Sequence, residues 1–173
     1  MMLVAFTMLF SCCTQTTMDK SRVLPGNDQL NEEIINANKK VVDLEDQQIK
    51  DLIKRYGWEM IETGTGLRYM IYQSGKGDKP VIGDIATINY EIRLIAGEMV
   101  YSSKESGPKT FRIGSGGVEG GLEEAILLLR VGDKAKIIMP SHLAHGLIGD
   151  QKRIPGKATL LYDLEFAGIE RVK

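Results

Sequence analysis

An α+β domain carried behind a helical segment is the fold class that this 173-residue sequence predicts. Three observations predict it. From residue 58 onward, short segments of alternating apolar and polar residues follow one another with turn residues between them, the pattern of half-buried strands. Within that stretch, one segment around 118–129 has helical spacing. Nineteen glycines against five prolines suit tight turns and sheet better than a helical bundle. The length allows one domain with appendages. With 22 Lys and Arg against 23 Asp and Glu, the net charge of -1 excludes the strongly basic electrostatics of nucleic-acid binding, so no nucleic-acid partner is expected. The two cysteines, Cys12 and Cys13, are adjacent and supply neither a disulfide framework nor a cysteine-rich zinc site. No apolar run reaches the 18 or so residues of a spanning helix.

The chain opens on an uncharged apolar run (MMLVAFTMLF), too short to cross a bilayer and of the length of a signal-peptide core. The following Leu9-Phe10-Ser11-Cys12 resembles the lipobox of bacterial lipoproteins. The expectation is a cleaved signal peptide over 1–11, an acylated Cys12 as the new N-terminus, and a flexible polar tether over 12–27. Acyl chains on one cysteine bury CH₂ groups worth about 0.8 kcal/mol apiece, enough to hold a domain at a membrane. The alternative, a buried N-terminal strand with two core cysteines, sits poorly with the polar CTQTTMDKSRVLPGN that follows. Cys13, without a partner, is expected to be inert.

Over 28–57 the apolar residues Leu30, Ile34, Ile35, Val41, Val42, Leu44, Ile49, Leu52, Ile53 and Tyr56 recur mostly three and four apart. This spacing predicts a helical neck, capped by Asn27 or Asp28 and stopped by Gly57. The weak helix formers Asn36 and Asn38 beside Val41 and Val42 allow a break over 38–41. The heptad pattern is too short to favour a coiled coil. Packing on its own domain, or spacing that domain from a membrane, is the simpler expectation, with a homodimer through the neck as the alternative.

The domain proper is expected over 58–173. Strands are read at 66–73 (GLRYMIYQ), 84–94 (DIATINYEIRL), 99–103, 109–113, 134–139 (KAKIIM) and 158–167 (ATLLYDLEFA). In the second, Ala86, Ile88, Tyr90 and Ile92 share one face, opposite Ile85, Thr87 and Asn89. Val118, Leu122, Ala125, Ile126 and Leu129 mark one face of a helix of about three turns. Five or six strands with one core helix make an α+β domain.

At the segments GDIATINYEI, GEMVYSS, FRIGSGGVEGGLEEAILLLRVGDKAKIIMPSHLAHG and IPGKATLLYDLEF, the sequence resembles the FKBP-type peptidyl-prolyl cis-trans isomerases, over roughly 66–170. With its lipobox and helical prefix it is similar to the envelope lipoprotein branch that includes the gliding-motility-associated isomerases. The resemblance implies a bent antiparallel sheet wrapped around one short helix, with a shallow apolar pocket between them that receives a proline side chain. The residues it implies as catalytic are Tyr90, Tyr101, His145 and Tyr162. Those it implies for substrate binding are Val100, Phe111, Val118, Glu119, Leu122 and Ile154. Its partners are proline-containing unfolded or exported polypeptides, and its place is the bacterial envelope through a lipid anchor.

Rotation about an X-Pro bond breaks amide conjugation, with a barrier of about 18–20 kcal/mol, and makes no covalent bond. A catalyst therefore needs neither nucleophile nor metal nor cofactor, only a site that fits the twisted imide better than its planar isomers. The sequence departs from the family pattern at several pocket positions. Leu122 stands where the family has Trp, Val100-Tyr101 where it has Phe-Asp, Glu119 where it has Ile, and His145 where it has Tyr. These changes imply a reshaped floor, an added carboxylate and reduced activity. A weakly active or inactive chaperone or binding module in an envelope assembly is the alternative function.

Two other signals point nowhere. The run GSGGVEGG (114–121) lacks both dinucleotide spacing and a P-loop ending, and Glu119 puts negative charge where a phosphate would sit. His142 and His145 form H-x-x-H, but Pro140 and Gly146 place them in a loop with no third ligand, so no metal is expected.

Overall fold

The computed structural model describes residues 27–172. The expected signal peptide, the expected acylation site Cys12 and the expected tether up to residue 26 lie outside the described residues. The chain divides into two compact units, Met1–Asn38 and Lys39–Lys173. What is described of the first is helix throughout, with Leu30, Ile34 and Ile35 exposed.

The helix α1 (Asn27–Tyr56) carries no break at 38–41. It ends as its sequence predicts. Gly57 takes a φ of +63°, its N–H donates to Lys54 O at 3.3 Å, and Trp58 N–H donates to Ile53 O at 3.1 Å. Within the second unit, Ile49 and Leu52 are buried against Ile138, with Ile53, Trp58, Met60, Ile95 and Leu161 around them. Ile49 and Leu52, wholly or nearly buried, each contribute about 1.5–3 kcal/mol by leaving water. This part of α1 therefore packs on its own domain.

The strands are β1 (Ile61–Glu62), β2 (Arg68–Gln73), β3 (Ile85–Leu94), β4 (Met99–Ser102), β5 (Lys109–Arg112), β6 (Lys134–Met139) and β7 (Leu160–Glu170). They form one antiparallel sheet in the order β1-β2-β6-β7-β3-β4, with β5 also on β3. Among the described residues seven strands stand in place of the five or six expected, because the two-residue β1 pairs Ile61 with Tyr69 and Glu62 with Arg68. The last strand starts later and runs further than the expected 158–167.

Strand β3 shows why the sheet bends. Its first half pairs with β5 and its second half with β4, the two being separated by the one-turn helix α2 (Ser103–Ser106). Its register against β7 slips between Thr87 and Ile88, where Gly168 and Phe166 are the successive partners and Ala167 is extra. Such a bulge kinks a strand and increases its twist.

The helix α3 (Gly120–Leu128) fills the hollow of the sheet through Leu122, Ala125 and Ile126. It packs there with Ala86, Ile88, Tyr90, Ile92, Ile137, Leu164 and Phe166. It begins two residues later than the apolar face from Val118 suggests. Gly121 lets it approach β6, since a Cβ there would lie 2.6 Å from Met139 Cγ. Adjacent residues of β6 divide between the two cores, Ile137 joining α3 and Ile138 joining α1.

The turn before β6 is held by the buried Asp133, which accepts from Gly75 N–H at 2.6 Å and Arg130 N–H at 2.7 Å. A Cβ on Gly75 would meet Val131 O at 2.3 Å and Gly132 C at 2.5 Å, backbone atoms that cannot step aside. Gly75→Ala is expected to destabilise the domain by about 2–3 kcal/mol in urea denaturation. Gly64→Ala, with nothing within 4 Å of its Cβ, is expected to stay within about 0.5 kcal/mol.

Candidate functional site

All ten site residues expected from the sequence converge on one region. Tyr90, Val100, Phe111, Leu122, Ile154 and Tyr162 belong to the main core cluster, and Tyr101 and Val118 pack against it. Glu119 and His145 join through polar contacts. Not all of them reach the open space of the expected shallow pocket. Leu122 and Tyr162 are fully buried and Val100 and Ile154 nearly so; they back the site rather than line it. The open cavity, about 310 Å³, is bounded by Lys109, Gly116, Gly117, Val118, Glu119, Ala144 and His145. Its mouth is polar.

Glu119 sets the character of this mouth. It is the residue before α3, and its side chain is only 6% exposed. The Tyr162 hydroxyl donates to its Oε1 at 2.9 Å, and His145 Nε2 lies 3.3 Å from the same oxygen, an ion pair when the ring is protonated. Lys109 Nζ stands 3.6 Å from Oε2, which has no hydrogen-bond partner among the described residues. Burial pushes the Glu119 carboxyl up; the charge of Lys109, its own backbone N–H, the Tyr162 hydroxyl and His145 outweigh this and hold it below the usual carboxylate value. Tyr162 is the counterpart. Burial, then the charge and hydrogen bond of Glu119, push its phenol well above 10, so it stays a donor.

The remaining tyrosines are likewise held. Tyr90 Oη shares a hydrogen bond of 2.9 Å with Ser106 Oγ, and its ring lies 6.4 Å from that of Tyr162 and 5.7 Å below Lys109 Nζ. The Tyr101 hydroxyl donates to Asp150 Oδ2, with the Arg153 guanidinium 5.6 Å over its ring. Partial burial raises the Asp150 carboxyl, but the Tyr101 hydroxyl and the N–H groups of Ile154 and Lys152 bring it down to about 2. Asp150 thus places a carboxylate at Tyr101, the position where the resemblance finds the family's own acid missing.

His145 and Asp150 ride on the connection between β6 and β7. It opens with the 3-10 turn Ser141–Leu143, and it is drawn tight by Gly146 N–H to Ser141 O at 2.8 Å and Lys157 N–H to Gly146 O at 2.7 Å. A Cβ on Gly149 or Gly156 would strike Ile154 O at 2.2 Å or Leu147 O at 2.1 Å. At its tip Leu147 and Ile148 are 77% and 72% exposed. The two histidines part company: His142 Nε2 reaches Thr65 O at 3.0 Å, away from His145.

Sequence reasoning passed over Lys109, Asp150, Leu147 and Ile148. Asp150 follows Gly149 in a turn-like dipeptide, which marks a loop but not its tyrosine partner. Lys109 is one strand-flanking lysine among many.

Fold and site together define a small α+β domain with one helix in the hollow of a bent sheet and a cavity where loop and helix N-terminus meet. The FKBP-type peptidyl-prolyl cis-trans isomerase family matches residues 76–167, and the chain belongs to this family. It is 39% identical over 108 residues to a probable FKBP-type peptidyl-prolyl cis-trans isomerase FkpA of Neisseria meningitidis serogroup B, a match covering 62% of this chain and 39% of that protein. The chain thus spans well under two thirds of the length of that relative, as it does of the Arabidopsis thaliana protein FKBP16-3, where the match covers 51%. Among solved structures, FkpA from Escherichia coli superimposes with a TM-score of 0.66 at 27% identity, covering 86% of this chain and 76% of that one. AtFKBP13 gives 0.63 at 30% identity, covering 65% of this chain and all of that one.

Both carboxylates have folded-state values below their unfolded ones, so their contributions to stability are complete above the unfolded values and are lost as pH falls through the folded ones, that of Asp150 lying at about 2. Glu119→Gln and Asp150→Asn are each expected to narrow the gap in Tm between pH 7 and pH 3, followed by circular dichroism. An unchanged gap in Glu119→Gln means that its carboxyl is not held ionised by these neighbours.

Proposed function

We propose that this chain is a peptidyl-prolyl cis-trans isomerase that assists the folding of exported, proline-containing polypeptides at a bacterial envelope. Membership in the FKBP family carries this reading, together with a cavity framed by the β6–β7 connection and the start of α3 and backed by Tyr90, Phe111, Leu122 and Tyr162. No reactive group is required. Val118 and Ala144 on the cavity wall, with the buried aromatic core behind them, offer the twisted imide a drier surrounding than water, suited to a carbonyl that has lost resonance charge. The exposed Leu147 and Ile148 give an extended chain apolar contact beside the cavity. Attachment through an acylated Cys12, in the manner of envelope lipoproteins, rests on the lipobox. Among the described residues no helix is long and apolar enough to cross a membrane.

Two observations favour a second reading, a binding module with little catalysis. The Glu119 carboxylate brings charge to the mouth, and Leu122 supplies less wall than the Trp that the resemblance places there. Turnover separates the two readings.

In a protease-coupled assay with proline peptides, the chain is expected to accelerate isomerisation above the uncatalysed rate. Tyr101→Phe, Tyr162→Phe and His145→Ala should each lower kcat/KM, by roughly threefold to thirtyfold for the loss of one hydrogen bond. No acceleration, alongside suppression of client aggregation, refutes the isomerase and upholds the binding module. Separately, Cys12→Ser should release the protein from membranes without changing its rate. A variant that stays in the membrane fraction disproves the anchor.

A further inference from the structure

The connection that frames the cavity is pinned at both ends by one carboxylate that comes from elsewhere in the chain. Glu45, on α1, accepts from the backbone N–H of Ser141 at 2.7 Å and from its hydroxyl at 3.0 Å. It also accepts from the hydroxyl of Thr159 at 2.6 Å. Ser141 is two residues beyond the end of β6, and Thr159 immediately precedes β7. Everything between them, including Ala144, His145, Asp150 and Ile154, is suspended between two points held by the same side chain. Neither end is otherwise idle. Ser141 starts the 3-10 turn whose carbonyl receives the Gly146 N–H at 2.8 Å, and Thr159 is 4% exposed.

The platform for Glu45 is itself fixed. One turn on, Ile49 is fully buried against the sheet, and the neighbouring Asp46 pairs with the Arg68 guanidinium, which also holds Glu62 at 3.1 Å and Gly66 O at 3.1 Å. Arg68 is buried in β2, which pairs directly with β6. The carboxylate therefore stands on a rigid element, and hydrogen bonds to a charged acceptor are about twice as strong as neutral ones.

From this geometry we propose that Glu45 is a positioning residue for the cavity: it clamps the two ends of the β6–β7 connection and so sets where His145 and Asp150 stand relative to Glu119 and Tyr101. Glu45 lies outside the span 76–167 that matches the family. The helical prefix thus acts on the site rather than only carrying it. That the site turns over proline peptides rests on the reading above; that the clamp shapes it does not.

The test uses the full chain and the variants Glu45→Ala, Glu45→Gln and Thr159→Val, with Asp51→Asn, exposed on the same helix, as control. Amide hydrogen exchange, affinity for a labelled proline peptide and kcat/KM are measured on each. In Glu45→Ala, amides over 144–157 should exchange about tenfold faster or more, while those of β3 and β7 keep their rates. Peptide affinity and kcat/KM should fall by about threefold to tenfold, the latter mainly through KM. Glu45→Gln, which keeps one acceptor oxygen, and Thr159→Val, which frees one end, should fall between, and Asp51→Asn should match the wild type. Exchange that is unchanged, or that accelerates equally across the sheet, overturns the clamp. So does a loosened connection that leaves both affinity and kcat/KM intact. Should the wild type bind the peptide without turning it over, the isomerase reading fails, and weaker binding by Glu45→Ala still upholds the clamp.

Discussion

The two-sided burial of the sheet is the constraint on which the rest depends. Ile137 and Ile138 are both fully buried, yet neighbours in a strand point to opposite faces. One therefore needs α3 and the other needs α1. The same division runs along β7, where Tyr162 and Leu164 join the α3 core and Leu161 the α1 core. A sheet of this kind with one face open would leave Ile138 and Leu161 in water. Covering them brings α1 to the ends of β6 and β7, and it is from those ends that the cavity's framing connection departs.

Burial also governs the site. A carboxylate out of water costs several kcal/mol unless charges and hydrogen bonds replace its hydration. Glu119 meets that cost with Tyr162, Lys109, His145 and its position at the start of α3. The arrangement is mutual, because the same contacts keep the Tyr162 phenol protonated and the His145 ring over the cavity. Changing one of these four side chains therefore alters the setting of the other three.

Much of the fold was legible in the sequence because the signals were periodic. The alternation in β3 identified its buried face residue by residue, and the stop at Gly57 followed from local chemistry. What escaped was set by tertiary pairing. Two residues of β1 have no period, and the single turn α2 depends on Ser102 accepting from the Lys104 N–H at 3.1 Å, a contact that any serine two residues away could make. Strand β7 runs through Gly168, which reads as a breaker, because the bulge beside it is held by β3. The ten expected site residues were named through family resemblance alone, since Tyr90, Phe111 and Tyr162 by themselves read as ordinary core. The carboxylate that the sequence adds at Glu119 stands at the opening, held by Tyr162, with the buried Leu122 and Tyr162 behind it. Lys109 and Asp150 were invisible because their significance lies wholly in partners brought near by folding.

This polar mouth changes what the cavity has to work with under the proposed reading. A planar imide has a carbonyl oxygen made partly negative by resonance, and at the top of the barrier that resonance is gone. A fixed negative charge beside the oxygen disfavours the planar forms more than the twisted one, and only such a difference lowers the barrier. Glu119 does not act as an isolated charge, however, because Lys109 Nζ is 3.6 Å from its Oε2. What a substrate meets is a dipole whose sign depends on which end faces the imide. A carbonyl nearer Lys109 is held more tightly in its planar state and rotates more slowly; one nearer Glu119 is relieved by rotation. The orientation of the bound peptide thus decides whether the substitution at this position hinders or helps.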